Sequence, residues 1–396
     1  ATAACEGFEA DTWMTTAAFY AASLSPQSDV AAMQRQARDW YRGLKLRSGL
    51  APFPASVIPV HERVADRRPR IAYVASQLHQ SLLRRVLAAH SADGAHVVLY
   101  TNQPFADLPA HVHVHPLDAK TLADSCAVNR IDVVIDTGGL HPFEGQFELL
   151  EAYARRLAPV QLGWLGCWGT AGGLFDGLLA DGVSVPLDKT GLYDEAVFRL
   201  DGGQWCWDPP LAAPAPDAPP AMSQGYVTYG VCVRSFRLGG ACLDALARIV
   251  AATPASTIRF IGAVSEDWPL RRDILSRMHA QGVGAGRVFF DPFVPHAAYL
   301  EWLARIDVVL DAIHGGGGLS LLDPLWMGVP VVTMAGEWVG TRQGASILAA
   351  IGLRQWVCDD EAGFCATAVA LAADQAALAE HRQALRARIS CSPLVD

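Results

Sequence analysis

The chain has 396 residues, of which 51% are hydrophobic and 18% charged, so it is a globular protein with enough apolar residues for large cores in two or three domains. Its formal net charge of −9 argues against nucleic acid as the main partner, because phosphate backbones bind basic surfaces. No apolar run reaches the roughly 18 residues of a membrane span, and the first residues lack the basic and apolar regions of a signal peptide.

The N-terminal part of the chain shows helical spacing before a strand pattern begins. Apolar residues recur at three- and four-residue intervals and predict two or three helices that end near residues 52–54: Trp13, Ala17, Tyr20, Val30, Met33, Ala37, Trp40 and Leu44. From Arg70, short apolar runs alternate with helical stretches, which predicts βαβ units and a parallel sheet. The runs lie at 71–75, 97–100, 133–135, 160–165 and 178–180.

A proline-rich stretch interrupts this alternation and predicts a linker, since residues 208–222 hold six of the 24 prolines. Strand-like runs then restart at 226–229, 258–261, 288–290, 308–310 and 331–333, and residues 360–390 are Ala-rich and helical. We find no internal repeat of 20–50 residues. The predicted organisation is a helical segment (1–64), a Rossmann-like domain (65–207), a linker (208–222) and a second Rossmann-like domain (223–396). Two such α/β domains are expected to face a cleft at the carboxyl ends of their strands.

The most informative segment reads as strand, glycine-rich turn, helix and strand. An apolar run ends at Asp311, four glycines follow at 315–318, and Leu319-Ser320 opens a helical pattern before a second apolar run at 329–334. Free amides and the helix dipole favour an anion at such a helix start, and glycine lets the anion approach the backbone. The motif predicts a phosphate or pyrophosphate site, although a plain tight turn has the same pattern.

Other residues of the second domain have the chemistry to complete a nucleotide site. Tyr299 opens a helix after His296 and could stack on a nucleobase, while the backbone near Val294 reads the base edge; the alternative is packing within its own domain. Asp323, in the glycine-initiated helix, could accept ribose hydroxyls or be a solvated carboxylate.

Two arginines follow the first strand of the second domain. Arg234 and Arg237 are three residues apart in the strand-to-helix loop. Arginine is always charged and binds diphosphate through two parallel hydrogen bonds, so both residues are candidate diphosphate ligands. The alternative is that they are ordinary surface residues.

The first domain offers candidates for the acceptor side. His79 lies in the loop after the first strand and could act as a base or orient a substrate. Gly169 and Thr170, in the segment PVQLGWLGCWGTAGG, could donate hydrogen bonds to phosphate or sugar hydroxyls. Each of these also fits a loop residue without a role.

Histidine and cysteine give no strong metal signal. His111, His113 and His115 would share one face of a strand, but no nearby carboxylate or cysteine completes a metal site, so we predict a polar strand face and no metal. The nine cysteines show no C-x-x-C spacing. An odd number of scattered cysteines fits reduced thiols, so we expect a cytoplasmic protein.

Four blocks in order resemble the O-linked N-acetylglucosamine transferase family, which includes SPINDLY-type and bacterial protein glycosyltransferases. The blocks are IDVVIDTGGL (131–140), LAPVQLGWLGCWGTAGGLFDGLLAD (157–181), RVFFDPFVPHAAYLEWLARIDVVLDA (287–312) and DPLWMGVPVVTMAGEWVGTR (323–342). The resemblance runs from Arg70 to the Ala-rich end and lacks the family's tetratricopeptide array. It implies an α/β GT-B fold and inverting, metal-independent transfer of a sugar from a nucleotide donor, UDP favoured over GDP, to a protein side chain.

The resemblance also implies roles for individual residues. On the donor side, Tyr299 would stack on the base, Val294 and His296 would read it, and Asp323 would bind ribose. The diphosphate cradle would comprise Gly317, Gly318, Leu319 and Ser320, with Arg237 neutralising the leaving group and Arg234 beside it. On the acceptor side, His79 would be the base, with His141, Gly169 and Thr170 near the sugar.

Several positions depart from the family pattern. The family's His-Thr-Thr has become Gly318-Leu319-Ser320, its diphosphate lysine is Arg237, and a basic stretch is replaced by GGLHPFEGQ ending at Gln146. These departures leave three alternatives open: a transferase for small molecules or glycans, a nucleotide-sugar-binding protein without turnover, and an epimerase or hydrolase on the same fold.

Overall fold

The computed structural model describes residues 16, 29–47, 67–75, 80–91, 93–139, 146–167 and 169–396. The chain passes from one compact unit to a second between Asp208 and Pro209, and Trp338–Gly340 belongs to the first unit. Each unit is built on a parallel sheet with helices between its strands, as the alternating runs predicted.

The sheet of the first unit has the strand order β3-β2-β1-β4-β5-β6-β7. Its strands are β1 (Arg70–Ala75), β2 (His96–Thr101), β3 (Val112–His115), β4 (Val133–Asp136), β5 (Val160–Trp164), β6 (Gly177–Ala180) and β7 (Ala196–Arg199). The helices described in this unit are α1 (Val30–Arg47), α2 (Gln80–Ala89), α3 (Leu122–Val128) and α4 (Gln146–Ala154). The inner strands are buried and apolar because helices cover a parallel sheet on both faces.

Helix α1 packs into the core of the first unit. Met33, Ala37, Trp40 and Leu44 recur along one face, are buried, and belong to the same apolar cluster as residues of β4 and α4. The predicted helical spacing is therefore confirmed for this stretch. The helix predicted around Trp13, Ala17 and Tyr20, and its end near residues 52–54, lie outside the described residues.

The sheet of the second unit has the strand order β10-β9-β8-β11-β12-β13. Its strands are β8 (Val227–Val231), β9 (Ser256–Ile261), β10 (Val288–Asp291), β11 (Val308–Leu310), β12 (Val331–Met334) and β13 (Val357–Cys358). Its helices are α5 (Ala221–Gln224), α6 (Gly240–Ala252), α7 (Trp268–Ala280), α8 (His296–Leu303), α9 (Leu319–Trp326), α10 (Gln343–Ala350), α11 (Glu361–Ala373) and α12 (Gln375–Ser390). Helices α11 and α12 are the Ala-rich helical end that the sequence predicted.

Strands β7 and β13 were not predicted, and β3 was predicted only as a polar strand face; all three lie at sheet edges. Strands β3 and β7 close the two edges of the first sheet, and β13 closes one edge of the second. An edge strand is half exposed and short, so it carries no continuous apolar run. Strand β3 alternates His and Val, and β13 has only two residues.

The proline-rich stretch 208–222 has irregular backbone until α5 begins. Two hydrogen bonds connect it to other parts of the second unit. The amide of Ala221 donates to Asp307 Oδ1 at 3.0 Å, and Arg386 donates to the carbonyl of Pro214 at 2.5 Å. Asp208, the first residue of the stretch, pairs with Arg84 of the first unit.

The two units repeat one topology, and a heptapeptide marks the equivalent position. Residues 130–136 read RIDVVID and residues 305–311 read RIDVVLD, so six of seven are identical. Asp132 accepts the amide of Arg70 at 2.9 Å, and Asp307 accepts that of Thr228 at 2.8 Å. In both sheets this aspartate ties the fourth strand to the first. This seven-residue repeat is shorter than the internal repeats of 20–50 residues that are typical of repeat proteins.

Among the described residues, no single helix has the length and hydropathy for crossing a membrane. Helices α11 and α12 satisfy that test only as a pair, and they are bent by 95° relative to each other. No two cysteines in the described ranges form a disulfide.

Candidate functional site

The start of α9 forms the centre of the candidate site in the second unit. Strand β11 ends at Leu310, the loop follows, and α9 begins at Leu319 with Gly318 as its N-cap and without a side-chain cap. The first amides of an α-helix lack carbonyl partners in a preceding turn, and the positive end of the helix dipole points the same way. In α9 the amide of Leu321 already donates to the carbonyl of Gly318 at 2.9 Å. No acidic residue lies in the first turn to compete for the first amides. The predicted strand–turn–helix arrangement is confirmed and suits an anion.

Arg237 lies beside this glycine-rich loop. It ends a 3-10 turn, Ser235–Arg237, that follows β8. Its guanidinium is half-buried, and Nη1 donates to the carbonyl of Gly316 at 2.8 Å. Arg234 is exposed at the start of the same turn. Two motifs nearly 80 residues apart in sequence, the arginines and the glycine turn, are thus brought together in one unit.

The buried carboxylate of Asp311, which was not among the predicted site residues, is hydrogen-bonded to the glycine-rich loop. Asp311 is 1% exposed, and its Oδ1 accepts the amides of Ala312 at 2.8 Å and Gly317 at 2.7 Å. Its Oδ2 accepts the hydroxyl of Thr333 at 2.7 Å. Burial raises the pKa of Asp311, while these donors and the nearby Arg237 lower it. The amide of Gly317, proposed from sequence as a ligand contact, is therefore already bonded to Asp311.

Tyr299 sits on α8 within a small aromatic and polar group. Its ring stacks on that of Trp302, with centroids 6.1 Å apart and planes at 15°. Its hydroxyl is hydrogen-bonded to Cys232, which follows β8. Burial raises the pKa of Tyr299 well above its usual value, and Cys232 and Asp323 add to the rise. The hydroxyl therefore stays protonated at neutral pH.

His296 and Asp323 form a direct pair at the same edge of the sheet. His296 Nε2 lies 2.9 Å from Asp323 Oδ2, and the side chains are 56% and 17% exposed. Burial raises the pKa of Asp323, and the hydrogen bond from His296 lowers it. Val294 is half-buried in the loop before α8. The base-reading and ribose-binding candidates are thus neighbours.

In the first unit, Thr170 has a structural role that corrects its predicted one. It is 2% exposed, and its hydroxyl donates to Glu195 Oε2 at 2.8 Å while accepting the amide of Gly172 at 3.1 Å. This hydroxyl is not available to a sugar. Gly169 is half-buried, and a Cβ there would lie 3.1 Å from the ring of Trp338. His79 and His141 lie outside the described residues.

The alternating histidines lie on and beside edge strand β3. His113 is exposed and stacks on His96 with centroids 4.6 Å apart. Among the described residues, no group of three or more His, Cys, Asp or Glu has the geometry to hold a metal ion. These rings therefore give no support for a metal centre.

Comparisons with known proteins find a family model that matches part of the chain. Residues 226–396 match the family model Glycosyl transferase family 41. The probable UDP-N-acetylglucosamine–peptide N-acetylglucosaminyltransferase SPINDLY of Oryza sativa subsp. japonica is 27% identical over 353 residues, covering 84% of this chain and 38% of that protein. The SPINDLY protein of Solanum lycopersicum is 27% identical and covers 91% of this chain.

Solved structures of other proteins share the fold. A mutant of the Thermobaculum terrenum O-GlcNAc transferase superposes with a TM-score of 0.82 at 28% identity, covering 97% of this chain and 74% of that one. Sucrose-phosphate synthase from Thermosynechococcus elongatus has a TM-score of 0.51 at 14% identity, a likeness of fold alone. The predicted GT-B fold and the predicted resemblance to the O-linked N-acetylglucosamine transferase family are confirmed. The chain spans less than half the length of the SPINDLY proteins that it matches, 38% and 40%.

The sequence contains a signal for the role of Asp311. The repeated heptapeptide ends in Asp136 in the first unit and in Asp311 in the second, and a glycine turn follows each. Asp136 likewise accepts two turn amides, from Gly138 and Gly139, and the hydroxyl of Tyr153. An aspartate repeated at the same strand end is a marker of a carboxylate that organises the following turn.

Proposed function

We propose that this chain transfers a sugar from a nucleotide-sugar donor to a protein side chain, with inversion at the anomeric carbon and without a metal ion. The observation that carries the proposal is the contact between Arg237 and Gly316 at the N-terminus of α9. A fixed cation, free helix amides and close-approaching glycines together suit a diphosphate.

The remaining donor contacts follow from the neighbouring side chains. Tyr299 would stack on the base, the backbone at Val294 and the ring of His296 would read its edge, and Asp323 would accept ribose hydroxyls. An ionised carboxylate is a strong hydrogen-bond acceptor, and a ribose offers two adjacent hydroxyl donors. The names of the SPINDLY relatives specify UDP-N-acetylglucosamine, which supports a UDP-sugar over a GDP-sugar here.

In the proposed reaction, an acceptor oxygen forms a bond to the anomeric carbon as the bond to the diphosphate oxygen breaks. The electron pair of that bond leaves with the nucleoside diphosphate. Arg237 and the amides of Gly318, Leu319 and Ser320 stabilise the developing charge, with Arg234 adding positive charge nearby. Preorganised donors of this kind are often the largest catalytic contribution, and here they replace a metal ion.

The acceptor proton needs a separate base, because an arginine stays protonated at neutral pH. We propose His79 for this role, since a neutral imidazole can take a proton near pH 7. His141 and Gly169 remain proposed acceptor-side residues. Thr170 is withdrawn from that group because its hydroxyl is buried on Glu195.

The test is incubation with UDP-N-acetylglucosamine, UDP-glucose or GDP-fucose, with and without an unfolded polypeptide mixture, and with EDTA throughout. Release of nucleoside diphosphate only with polypeptide, plus an increase in the mass of that polypeptide equal to the sugar of the donor, supports the proposal. Release without acceptor would indicate a hydrolase. Thermal stabilisation by a donor without any release would indicate a binding protein.

The stereochemical part has its own test. An α-linked donor should give a β-linked product, read from the anomeric proton coupling of the glycosylated peptide. An α-linked product would exclude the inverting mechanism while leaving the transferase assignment intact.

A further inference from the structure

One peptide group of the glycine-rich loop is held at both of its polar atoms. The carbonyl of Gly316 accepts from Arg237 Nη1 at 2.8 Å, and the amide of Gly317 donates to Asp311 Oδ1 at 2.7 Å. These two atoms belong to the same peptide plane. Glycine backbone is otherwise free to adopt many conformations, so bonds at both ends of the plane prevent it from turning over.

Asp311 is itself rigidly placed. It is 1% exposed, and Ala312 and Thr333 hold its two oxygens from different directions. Strand β12 carries Thr333, so the carboxylate joins the loop to the middle of the sheet. A buried charge with three donors and a neighbouring arginine is compensated, and it keeps its orientation.

The clamped peptide lies directly against the first turn of α9. A Cβ on Gly317 would lie 2.7 Å from Ser320 Oγ and 3.0 Å from Asp311 Oδ1. The next residue, Gly318, is the N-cap. Any rotation of the Gly316–Gly317 peptide would therefore move the amides that open the helix.

We propose that Asp311 is a positioning residue for the donor diphosphate, acting through Gly317 and Arg237, and that the ligand-binding amides begin at Gly318. This rests on the proposed function, because it takes a nucleoside diphosphate to bind at the start of α9. The carboxylate and the guanidinium together fix the loop before the ligand arrives, so less ordering is required on binding.

The test measures affinity for UDP and GDP, and for uridine and guanosine, by calorimetry on the whole chain. Asp311→Asn keeps an acceptor oxygen but loses the charge. It should weaken binding of the preferred nucleoside diphosphate about tenfold and leave the matching nucleoside unchanged. A general loss of structure would weaken both ligands equally, so the contrast identifies a positioning role.

Asp136→Asn is the matched control. That carboxylate ends the equivalent strand of the first sheet and also binds two turn amides and a hydroxyl. It should lower thermal stability to a similar extent without changing either affinity. Gly286→Ala, at a position with open space around it, should likewise leave both affinities unchanged.

If Asp311→Asn does not fold, Thr333→Val decides, because it removes only the hydroxyl that orients Oδ2. A roughly threefold loss for the nucleoside diphosphate alone supports the proposal. Unchanged affinity in the folded variants overturns it. If the unchanged protein binds neither UDP nor GDP, the proposed function itself fails, which is a different result.

Discussion

Arg237 is the half-buried cation that lies against the glycine-rich loop. Arg237→Ala removes positive charge from the place where the leaving diphosphate becomes more negative, so turnover should fall on the order of 10²-fold. Steady-state kinetics at saturating donor measures the effect. Arg272→Ala, an exposed arginine of the same unit, is the matched control and should behave like the unchanged protein. Turnover of Arg237→Ala within about threefold of normal would contradict the role.

Asp136 gives a pH-dependent prediction. Burial raises the pKa of its carboxyl from 3.8 to about 6, although Tyr153, Gly139 and Gly138 donate to it. The folded state therefore holds this proton more tightly than the unfolded chain. The resulting stabilisation is full below pH 3.8 and is lost as the pH rises through about 6.

Asp136→Asn cannot titrate at this position. The unfolding free energy of the unchanged protein minus that of the variant should fall by roughly 2 kcal/mol between about pH 4 and about pH 6.5. Urea unfolding at a series of pH values measures the difference. A difference that stays constant over this range would show that the carboxyl titrates normally.

The role of a residue could be predicted from sequence only where its side chain has one typical function. The charge of Arg237 and the small size of the loop glycines predicted a diphosphate site, and Arg237 contacts Gly316 in the structure. The predicted sugar contact of the Thr170 hydroxyl could not be judged from sequence, because a hydroxyl can bind a ligand or an internal carboxylate equally well. Its partner, Glu195, is 25 residues away. Asp311 was missed because burial, and not spacing, determines its role.

At the scale of elements, α1 provides the clearest test of packing. Leu44 is fully buried in the core of the first unit, whereas Leu46, two residues on, is 77% exposed. Leu44→Ala should lower the unfolding free energy by about 2–5 kcal/mol, because it removes buried apolar contact and leaves a cavity. Leu46→Ala, the same substitution in the same helix, should cost less than about 0.5 kcal/mol. Equal losses in urea unfolding would show that the helix does not dock as described.

The inner strands and the edge strands differ in how well sequence predicts them. The inner runs are buried on both faces, so their apolar residues are continuous and easily recognised. Strands β3, β7 and β13 lie at edges, where backbone pairing with one neighbour suffices and side chains vary. The alternating His and Val of β3 were predicted to be a polar strand face, and they form an edge strand.

At the scale of the whole molecule, all the proposed donor contacts lie in the second unit. Adding the preferred nucleoside diphosphate should slow amide hydrogen exchange at the starts of α8 and α9 and in the loop between β11 and α9. Strand β1, in the first unit, should exchange at the same rate with and without ligand. Equal protection of both units would contradict a donor site confined to the second. Hydrogen exchange with mass spectrometry makes this comparison.

The pair of sheets was predictable from the whole chain because each βαβ unit repeats the same alternation of runs. Both sheets were predicted to be Rossmann-like, but the repeated heptapeptide, RIDVVID and RIDVVLD, was not recognised as marking equivalent strands. The shared strand order, in which the fourth strand pairs with the first, becomes visible only when the pairing partners are known.

The twin heptapeptides also bear on how a newly made chain reaches its native form. Strands β4 and β11 carry nearly interchangeable sequences, and each is anchored by an aspartate to the leading strand of its own sheet. During refolding, each of these two segments can pair in the place of the other, so the chain contains a competing non-native strand pairing. Correct sorting then depends on sequence proximity, and refolding at high concentration should favour exchanged, intertwined dimers.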